Sequence, residues 1–358
     1  MAEYLTAFDN HAQYEAFTGS TSYLRPNVSI CKEEEEVHYG PFVFPLTFEA
    51  IDDCTFQLTR SGASYSVDNG LTWTELPSRT PTPTVSAGNK IMWKGEITPQ
   101  GQGIGQFSST GRFNAFGNPM SMLFGDDFGD KTSLSGKGQA FATLFSGCTG
   151  LISAENLKID HITGLTNACY NKMFYQCTSL IKMPNLYWDH TDSYESTFNG
   201  CTSLVNMRKT VANASGVTLY QTFQGCTSLV DASNLEIHAE TINGYAAFVG
   251  CRSLEISPIL DGTFTHADAP TSIGAPGGGH NFFYSCPSLK QITYLGSNLG
   301  VRYYTKSGTN YKDNYSDGWV YGVQTTSGTF IKKAGVTYEY CSSCDANCIP
   351  CNWTIVEQ

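Results

Sequence analysis

Four cysteines near the carboxyl end of the chain have the spacing of metal ligands. The segment Cys341-Ser-Ser-Cys344-Asp-Ala-Asn-Cys348-Ile-Pro-Cys351 contains two Cys-x2-Cys pairs. Four thiolates in this arrangement suit a tetrahedral zinc ion. Only three residues separate the two pairs, whereas usual zinc ribbons have about 12 or more there. We therefore expect free or disulfide-linked thiols, with zinc as the alternative, and we assign no metal site.

A second short motif lies in the amino-terminal part of the chain. The segment Ser66-Val-Asp68-Asn-Gly70-Leu-Thr-Trp73 is similar to the Asp-box hairpin of sialidase-like propellers. In those proteins the hairpin lies on the outer face of a blade, remote from the catalytic centre. A propeller needs many blades, and this sequence has one box. We expect a β-hairpin whose turn is closed by Asp68 and Gly70, without glycosidase activity.

No other pattern in the sequence predicts catalysis. The chain lacks a nucleophile elbow, a phosphate-binding glycine loop and an HExxH motif. The acidic residues Asp189 and Asp192 fall in expected loops. Five histidines have no regular partner spacing, at His161, His190, His238, His266 and His280. We therefore expect no enzyme, no catalytic residue and no cofactor.

The composition narrows the class of protein. The chain has 358 residues, 15% of them charged, with 35 Gly, 20 Tyr and 21 Phe, as in β-rich extracellular or virion proteins. The net charge of −11 argues against a nucleic-acid partner or a polybasic membrane anchor. No apolar run reaches roughly 18 residues, so we expect no membrane insertion. Residues 1–9 do not resemble a secretory signal.

Six copies of one phrase organise the middle of the chain, between about residues 141 and 295. The phrase is Phe-x-x-Cys-x-x-Leu, with its phenylalanines at Phe145, Phe174, Phe198, Phe223, Phe248 and Phe283 and its cysteines at Cys148, Cys177, Cys201, Cys226, Cys251 and Cys286. Nine residues after the Cys stand Leu157, Leu186, Thr210, Leu235, Leu260 and Leu295. A period of roughly 25 residues is that of a leucine-rich repeat and indicates a solenoid.

The chemistry of the phrase supports stacking of its copies. Phe, Cys and Leu at this spacing are predicted to share one face of a short helical turn, and the following residues suit a short strand. One copy cannot bury enough apolar surface to fold alone, whereas stacked copies share a core. The six cysteines are expected to be free, buried thiols rather than a ladder of disulfides. Such thiols are simplest to reconcile with synthesis in a reducing compartment.

The phrases from about residue 138 onward resemble BspA-type leucine-rich repeats, which read Phe-x-Gly-Cys-Thr-Ser-Leu. The resemblance covers roughly 160 residues and implies a surface for adhesion or protein recognition. Two inserts, at residues 161–169 and 261–280 (the second with Gly277 to Gly279), are expected to form contact loops. Tyr187, Trp188 and Tyr194 are candidate contact aromatics, with ordinary packing as the alternative.

The regions on either side of the repeats read as separate modules. Residues 41–137 alternate polar and apolar positions in short runs, which predicts a β-sandwich that also covers the first repeat. The runs are residues 42–50, 54–59, 64–67, 72–76, 84–86 and 90–94, with 108–114 and 120–124 completing the module. Residues 301–358 are expected to form a carboxy-terminal cap. A Gly-Thr-Phe strand at 328–330 followed by Trp353-Thr354 often closes BspA-type arrays.

Residues 1–40 have too few apolar side chains for a core of their own. They are predicted to be an arm that orders against a partner, with a frayed terminus as the alternative. Residues 8–17, 24–31 and 37–39 resemble the amino-terminal segment of structural proteins from crAss-like and other Bacteroides-infecting phages. That resemblance implies attachment of the arm to other virion proteins such as capsid, portal, tail or fibre proteins.

Together these patterns predict a mostly β protein with short helices. It comprises an arm (1–40), a β-sandwich (41–137), a leucine-rich repeat solenoid of about six repeats (138–300) and a cap (301–358). The expected function is a non-enzymatic phage virion protein, such as a fibre, decoration or tail-associated protein, assembled in the bacterial cytoplasm as a homo-oligomer. Its repeats would bind a host surface protein or glycan. The alternatives are a bacterial BspA-type surface adhesin and a hydrolase or esterase on a tail spike.

Metal analysis of the purified chain tests the expectation for the four carboxy-terminal cysteines. We expect no stoichiometric zinc, because the loop between the two Cys-x2-Cys pairs is too short for a usual ribbon. A stoichiometric zinc ion that is lost in the Cys344→Ser/Cys348→Ser variant would contradict this expectation.

Overall fold

The computed structural model describes most of the chain from residue 44 onward. The described ranges are 44–160, 162–165, 168–186, 194–264, 279–297, 301–306, 309–314, 319–323, 326–338, 349–350 and 352–358. In Val301–Lys306 and Thr309–Asn314 only the backbone is described. The predicted arm at residues 1–40 lies outside these ranges, and so do Cys341, Cys344, Cys348 and Cys351.

Within these ranges the fold is mostly β, and its helical content is the four-residue helix α1 (Ser121–Phe124) and a 3-10 helix (Gly125–Asp130). The strands are β1 (Leu46–Ala50), β2 (Phe56–Leu58), β3 (Ala63–Ser66), β4 (Thr74–Leu76), β5 (Lys90–Gly95), β6 (Phe107–Ser109), β7 (Phe113–Gly117), β8 (Leu151–Leu157), β9 (Thr210–Thr218), β10 (Leu235–Asn243), β11 (Ile256–Phe264), β12 (Gln291–Tyr294), β13 (Val301–Lys306), β14 (Thr309–Asn314), β15 (Thr329–Lys332) and β16 (Thr354–Glu357).

Most of the strands expected in residues 41–137 are confirmed as β1 to β7. The run at 84–86 contributes only an isolated bridge between Val85 and Cys54. The expectation that residues 120–124 form a strand of the β-module is wrong, because Ser121–Phe124 form the helix α1 and Met120 is its N-cap. The chain turns there since the side-chain oxygen of Asn118 accepts the Met120 N–H at 3.0 Å, and the Phe124 N–H donates to the Met120 carbonyl at 3.0 Å.

The amino-terminal strands form two sheets that share their core with the first repeat. One sheet has the order β4-β3-β5-β1-β7-β8, and the other pairs β2 with β6. In the six-stranded sheet, β7 and β8 pair in parallel and all other neighbouring strands pair antiparallel. The ring of Phe48 on β1 contacts Phe56, Trp93 and Phe107, and also Phe145 of the first repeat at 5.8 Å. The repeats therefore continue the amino-terminal core.

The six repeats form parallel coils, which we number 1 to 6 from Phe145, Phe174, Phe198, Phe223, Phe248 and Phe283. Two residues after the Leu of the phrase, each coil pairs with the next in parallel, through Ser153, Lys182, Asn206, Asp231, Ile256 and Gln291. Later coils add longer strands, which give the parallel sheet order β16-β15-β12-β11-β10-β9. Backbone pairing therefore runs along the whole set of coils.

The segment that carries Phe and Cys is a series of tight turns, so the predicted short helical turn is wrong. The N–H of Cys201 donates to the carbonyl of Phe198 at 3.0 Å, and that of Leu204 donates to Cys201 at 3.1 Å. The residues two before and two after each Phe have positive φ, as at Ser196 (54°) and Gly200 (77°). These left-handed residues break the helical path and turn alternate N–H groups toward the next coil.

Those N–H groups tie each coil to its successor. In coil 3, the N–H groups of Ser196, Phe198 and Gly200 donate to the carbonyls of Tyr220, Thr222 and Gln224 in coil 4, at 2.9, 2.9 and 2.8 Å. Coils 2, 4 and 5 repeat the pattern. Buried N–H groups must find acceptors, and here the neighbouring coil supplies them.

The interior is lined by the side chains that the phrase repeats. Neighbouring Phe rings of coils 1 to 5 stack with centroids 5.1 to 5.5 Å apart. The Leu residues nine after Cys are buried in coils 1, 2, 4 and 5. Leu295 is only half-buried, which corrects its assignment to the core. The register shifts by one residue in β11, so Tyr294 pairs with Leu260 and takes that place.

Both ends of the stack imitate a coil. At the amino-terminal end, the Phe107 ring stacks on Phe145 at 6.0 Å, and the Phe107 N–H donates to Leu144. At the other end, the N–H groups of Phe283 and Ser285 donate to Trp319 and Tyr321, at 2.7 and 2.9 Å. Residues 319–323 are thus a seventh turn, in which Val320 and Val323 stand in for Phe and Cys. β15 and β16 extend the parallel sheet beyond it.

Because the turn residues have positive φ, exchanging glycine and a larger residue at equivalent positions should change the free energy of unfolding in opposite directions. Gly250 has φ +72° and a Cβ there would meet nothing within 4 Å. Gly250→Ala should therefore cost about 1 kcal/mol of unfolding free energy through backbone strain alone. The reverse change at the equivalent position of coil 2, Gln176→Gly (φ 56°), should stabilise by a similar amount. Urea unfolding measures both, and the same sign for the two variants would contradict the prediction.

Candidate recognition surface

The cysteines inside the stack make hydrogen bonds between coils. The thiols of Cys177, Cys201, Cys226, Cys251 and Cys286 each donate to the Phe carbonyl of the preceding coil, at 2.9 to 3.2 Å. All six repeat cysteines are buried and free, which confirms the expectation of buried, unpaired thiols. Cysteine fits here because it is small and apolar and still supplies a weak donor.

Burial keeps these thiols chemically inactive. Desolvation raises the pKa of Cys148, Cys226 and Cys286 to about 12, and raises the pKa of Cys177, Cys201 and Cys251 well above the ordinary thiol value. A nucleophilic or metal-binding cysteine needs its thiolate. The repeat cysteines are therefore structural, and any function of the stack must lie on its outer surface.

One outer row is aliphatic and follows the Leu of the phrase. Ile181, Val205 and Val230 occupy this position in coils 2, 3 and 4, with 44%, 37% and 38% of their surface exposed. In coil 5 the row changes to Glu255, which pairs with Lys290 of coil 6 at 2.7 Å.

Charged side chains near this row pair with one another between coils. Glu155 of coil 1 contacts Lys182 of coil 2 at 2.9 Å and Arg208 of coil 3 at 3.5 Å. On β10, His238 lies 3.2 Å from Asp261 of β11. These partly exposed pairs each contribute little to stability, and they satisfy one another rather than facing a common centre.

Aromatic and amide side chains lie on the outside of the turn segments, and we call this surface the turn face. It consists of two rows of residues, one at the position three before each Phe and one at the position directly after it. In the first row, Tyr220, Tyr245 and His280 stack ring on ring, with centroids 4.9 and 5.7 Å apart. In the second row the Asn199 side chain donates to the Gln224 side chain at 3.0 Å, and Tyr284 stacks on Tyr321 at 5.2 Å.

Sequence reasoning missed the turn face, although a signal was present. Tyr220 and Tyr245 occupy the same place in consecutive copies of the phrase, so aligning the repeats by column would have shown the row. Of the predicted contact aromatics, Tyr194 is fully buried and is therefore a packing residue. Tyr187 and Trp188 lie outside the described residues.

The two predicted contact inserts are only partly described, and their described parts are packed. In the insert at 161–169, Ile162 and Leu165 are buried, and the Thr163 N–H donates to Thr132. The insert at 261–280 begins inside β11, which continues to Phe264, so its loop is shorter than expected. Residues 265–278 lie outside the described ranges.

The Asp-box motif forms the expected turn between β3 and β4. Asp68 accepts hydrogen bonds from the hydroxyl groups of Ser66 and Thr72, both at 2.6 Å, and from the Thr72 N–H at 2.9 Å. These donors lower the pKa of Asp68 to about 2. The carboxylate is thus committed to holding the turn.

Neither a metal centre nor a family assignment emerges from the described part of the chain. Its His, Cys, Asp and Glu residues form no group of three or more that is placed to hold a metal ion. Neither of its helices has the length and apolar character of a membrane span. Comparison of the chain with protein-family models, curated proteins and solved structures gave no match.

The buried thiols predict that stability falls at alkaline pH. An unfolded thiol loses its proton near pH 9, whereas Cys226 in the fold holds its proton to about 12. The stabilising effect is therefore complete below about pH 9 and is lost as the pH rises toward about 12. Between these two pKa values, the Cys226 thiol should lower the free energy of unfolding by about 1 kcal/mol per pH unit.

Urea unfolding between about pH 8 and pH 10.5 measures this slope. Cys226→Ala should reduce the slope by the share of one thiol, while Tyr321→Phe, at a side chain 55% exposed, should leave it nearly unchanged. An identical slope in Cys226→Ala and the parent protein would refute the prediction.

Proposed function

We propose that this chain is a non-enzymatic recognition protein built on a BspA-type leucine-rich repeat solenoid. The observation that carries the proposal is the continuous stack of coils, in which Phe, Cys and Leu fill one interior and backbone hydrogen bonds join each coil to the next. Repeats of this kind contact only their neighbours and so present an extended outer surface. The buried, protonated cysteines and the paired surface charges support a binding role rather than catalysis.

In this proposal the amino-terminal strands are a β-sandwich that caps the solenoid, and residues 301–358 are the opposite cap. A terminal repeat needs a cover because its apolar face and backbone donors would otherwise meet water. The contacts of Phe107 with Phe145, and of Trp319 with Phe283, support these two roles.

We further propose that the protein is a structural component of a phage virion. The support is the resemblance of residues 8–17, 24–31 and 37–39 in the arm to the amino-terminal segment of structural proteins from crAss-like and other Bacteroides-infecting phages. The arm would dock on other virion proteins, and the repeats would bind a host surface protein or glycan. Free thiols agree with assembly in a reducing bacterial cytoplasm, and copies in a virion are expected to form a symmetric homo-oligomer.

A second candidate function is a bacterial surface adhesin of the BspA type. It is favoured by the same stack, because the repeat surface would serve recognition equally well on a cell as on a virion. The two functions differ in what the arm contacts and not in the chemistry of the repeats.

The recognition role predicts saturable binding to bacterial cells. Fluorescently labelled full-length chain should bind host Bacteroides-type cells, and unlabelled chain should compete. Because the proposed contact lies on the folded stack, chain unfolded by heat serves as the control and should not compete. Absence of saturable binding to a bacterial strain infected by the phage that carries this protein would contradict the proposal.

The location of the chain is tested separately on purified particles. Mass spectrometry and electron microscopy of purified virions should detect the chain, with residues 1–40 ordered against the capsid or tail. Recovery of the chain from the bacterial outer surface, and none from particles, would instead favour the adhesin.

A further inference from the structure

The first row of the turn face leaves particular parts of its side chains to solvent. Tyr245 stacks between Tyr220 and His280, so both faces of its ring are covered. All three side chains are half-buried. The parts of the two tyrosines that a ligand can reach therefore include ring edges and hydroxyl groups, and the three rings are held rigid by one another.

The second row adds neutral amides beside these rings. The Asn199 side chain donates to the Gln224 side chain at 3.0 Å. Outside the two rows, two residues before each Phe, the Ser196 hydroxyl lies 3.5 Å from the side-chain oxygen of Gln221. A primary amide has two donor positions and two acceptor positions, so one bond between Asn199 and Gln224 leaves capacity on both. Rigid tyrosines and adaptable amides are also the side chains that recognition loops favour.

The charge on this face differs from that on the sheet side. From coil 4 to coil 6 the positions three before, two before and one after each Phe hold Tyr, His, Gln, Ala, Asn and Val, without Lys, Arg, Asp or Glu. Glu195 is the first-row residue of coil 3 and the single charged residue at these positions from coil 3 to coil 6. Burial, with smaller contributions from Tyr245 and Glu195, raises the pKa of Tyr220. A neutral ligand rich in hydroxyl groups fits this surface better than a charged one.

The rows also impose a period on any ligand that lies along them. Hydrogen-bonded strands lie about 4.7–4.9 Å apart, and each coil repeats the row once. In an extended, linear polysaccharide one sugar advances the chain by a similar distance, so successive sugars can meet equivalent side chains.

We propose that the turn face of coils 3 to 6 binds a linear, neutral polysaccharide lying along the stack. Hydroxyl groups of successive sugars would exchange hydrogen bonds with Tyr220 and Tyr245, and with the amides of Asn199 and Gln224. This inference rests on the proposed recognition role and specifies its ligand class and its surface.

The experiment measures binding of full-length protein to immobilised neutral oligosaccharides, from disaccharides to octasaccharides. Three series are used: β-1,4-linked glucose, β-1,4-linked mannose and α-1,6-linked glucose. Dextran sulfate is the charged comparison. For at least one neutral series, affinity should rise with length until the chain spans the row. The double variant Tyr220→Phe/Tyr245→Phe keeps both rings and removes only hydroxyl groups. It should bind roughly fivefold or more weakly, as expected for loss of one or two neutral hydrogen bonds.

Tyr65→Phe on β3 is the matched control, since it removes a hydroxyl outside the turn face and should bind as the parent does. Equal affinity of the double variant and the parent would overturn the placement of the site. Binding to cells that survives periodate treatment but not protease, with no neutral oligosaccharide bound, would overturn the ligand class while leaving the recognition role intact. If the protein bound neither a neutral oligosaccharide nor host cells, both the ligand class and the recognition role would be overturned.

Discussion

The Phe carbonyls of coils 1 to 5 each accept one hydrogen bond from their own coil and one from the next, and the rest of the fold depends on this pairing. The carbonyl of Phe174 accepts the N–H of Cys177 at 3.1 Å and the thiol of Cys201 at 3.1 Å. A buried carbonyl has two lone pairs, and both are used here. A single coil would leave half of this capacity, and most of its turn N–H groups, without partners. The repeat therefore folds only as part of a stack.

The same constraint explains why the cysteines stay unpaired. Equivalent positions in successive coils place the sulfurs in a row, and each thiol is directed toward a carbonyl of the preceding coil. Forming a disulfide would remove two of these donors and would require Cβ geometry that a row of equivalent sites does not supply. The sulfur row is thus a means of cohesion between coils, not of oxidation chemistry.

Because the interior and the backbone fix the stack, the fold constrains the outer side chains less than the buried ones. Two outer surfaces differ in their chemistry. The sheet side carries an aliphatic row and charges that pair between coils, whereas the turn face carries stacked aromatic rings and amides. The recognition role that we propose for the turn face would use rigid side chains, whose ordering is already achieved in the free protein.

The period, the burial of Phe, Cys and Leu, and most strands of the amino-terminal module could be predicted from the sequence, because they follow from which side chains avoid water and at what spacing. The path of the turns could not be predicted, because it depends on contacts between coils. Left-handed residues such as Lys172, Ser196 and Gln221 carry no sequence signal for positive φ, and they are tolerated because the neighbouring coil accepts the N–H groups they expose. Likewise Tyr294 replaces Leu295 in the core through a register shift, and the turn face exists only where coils bring residues far apart in sequence side by side.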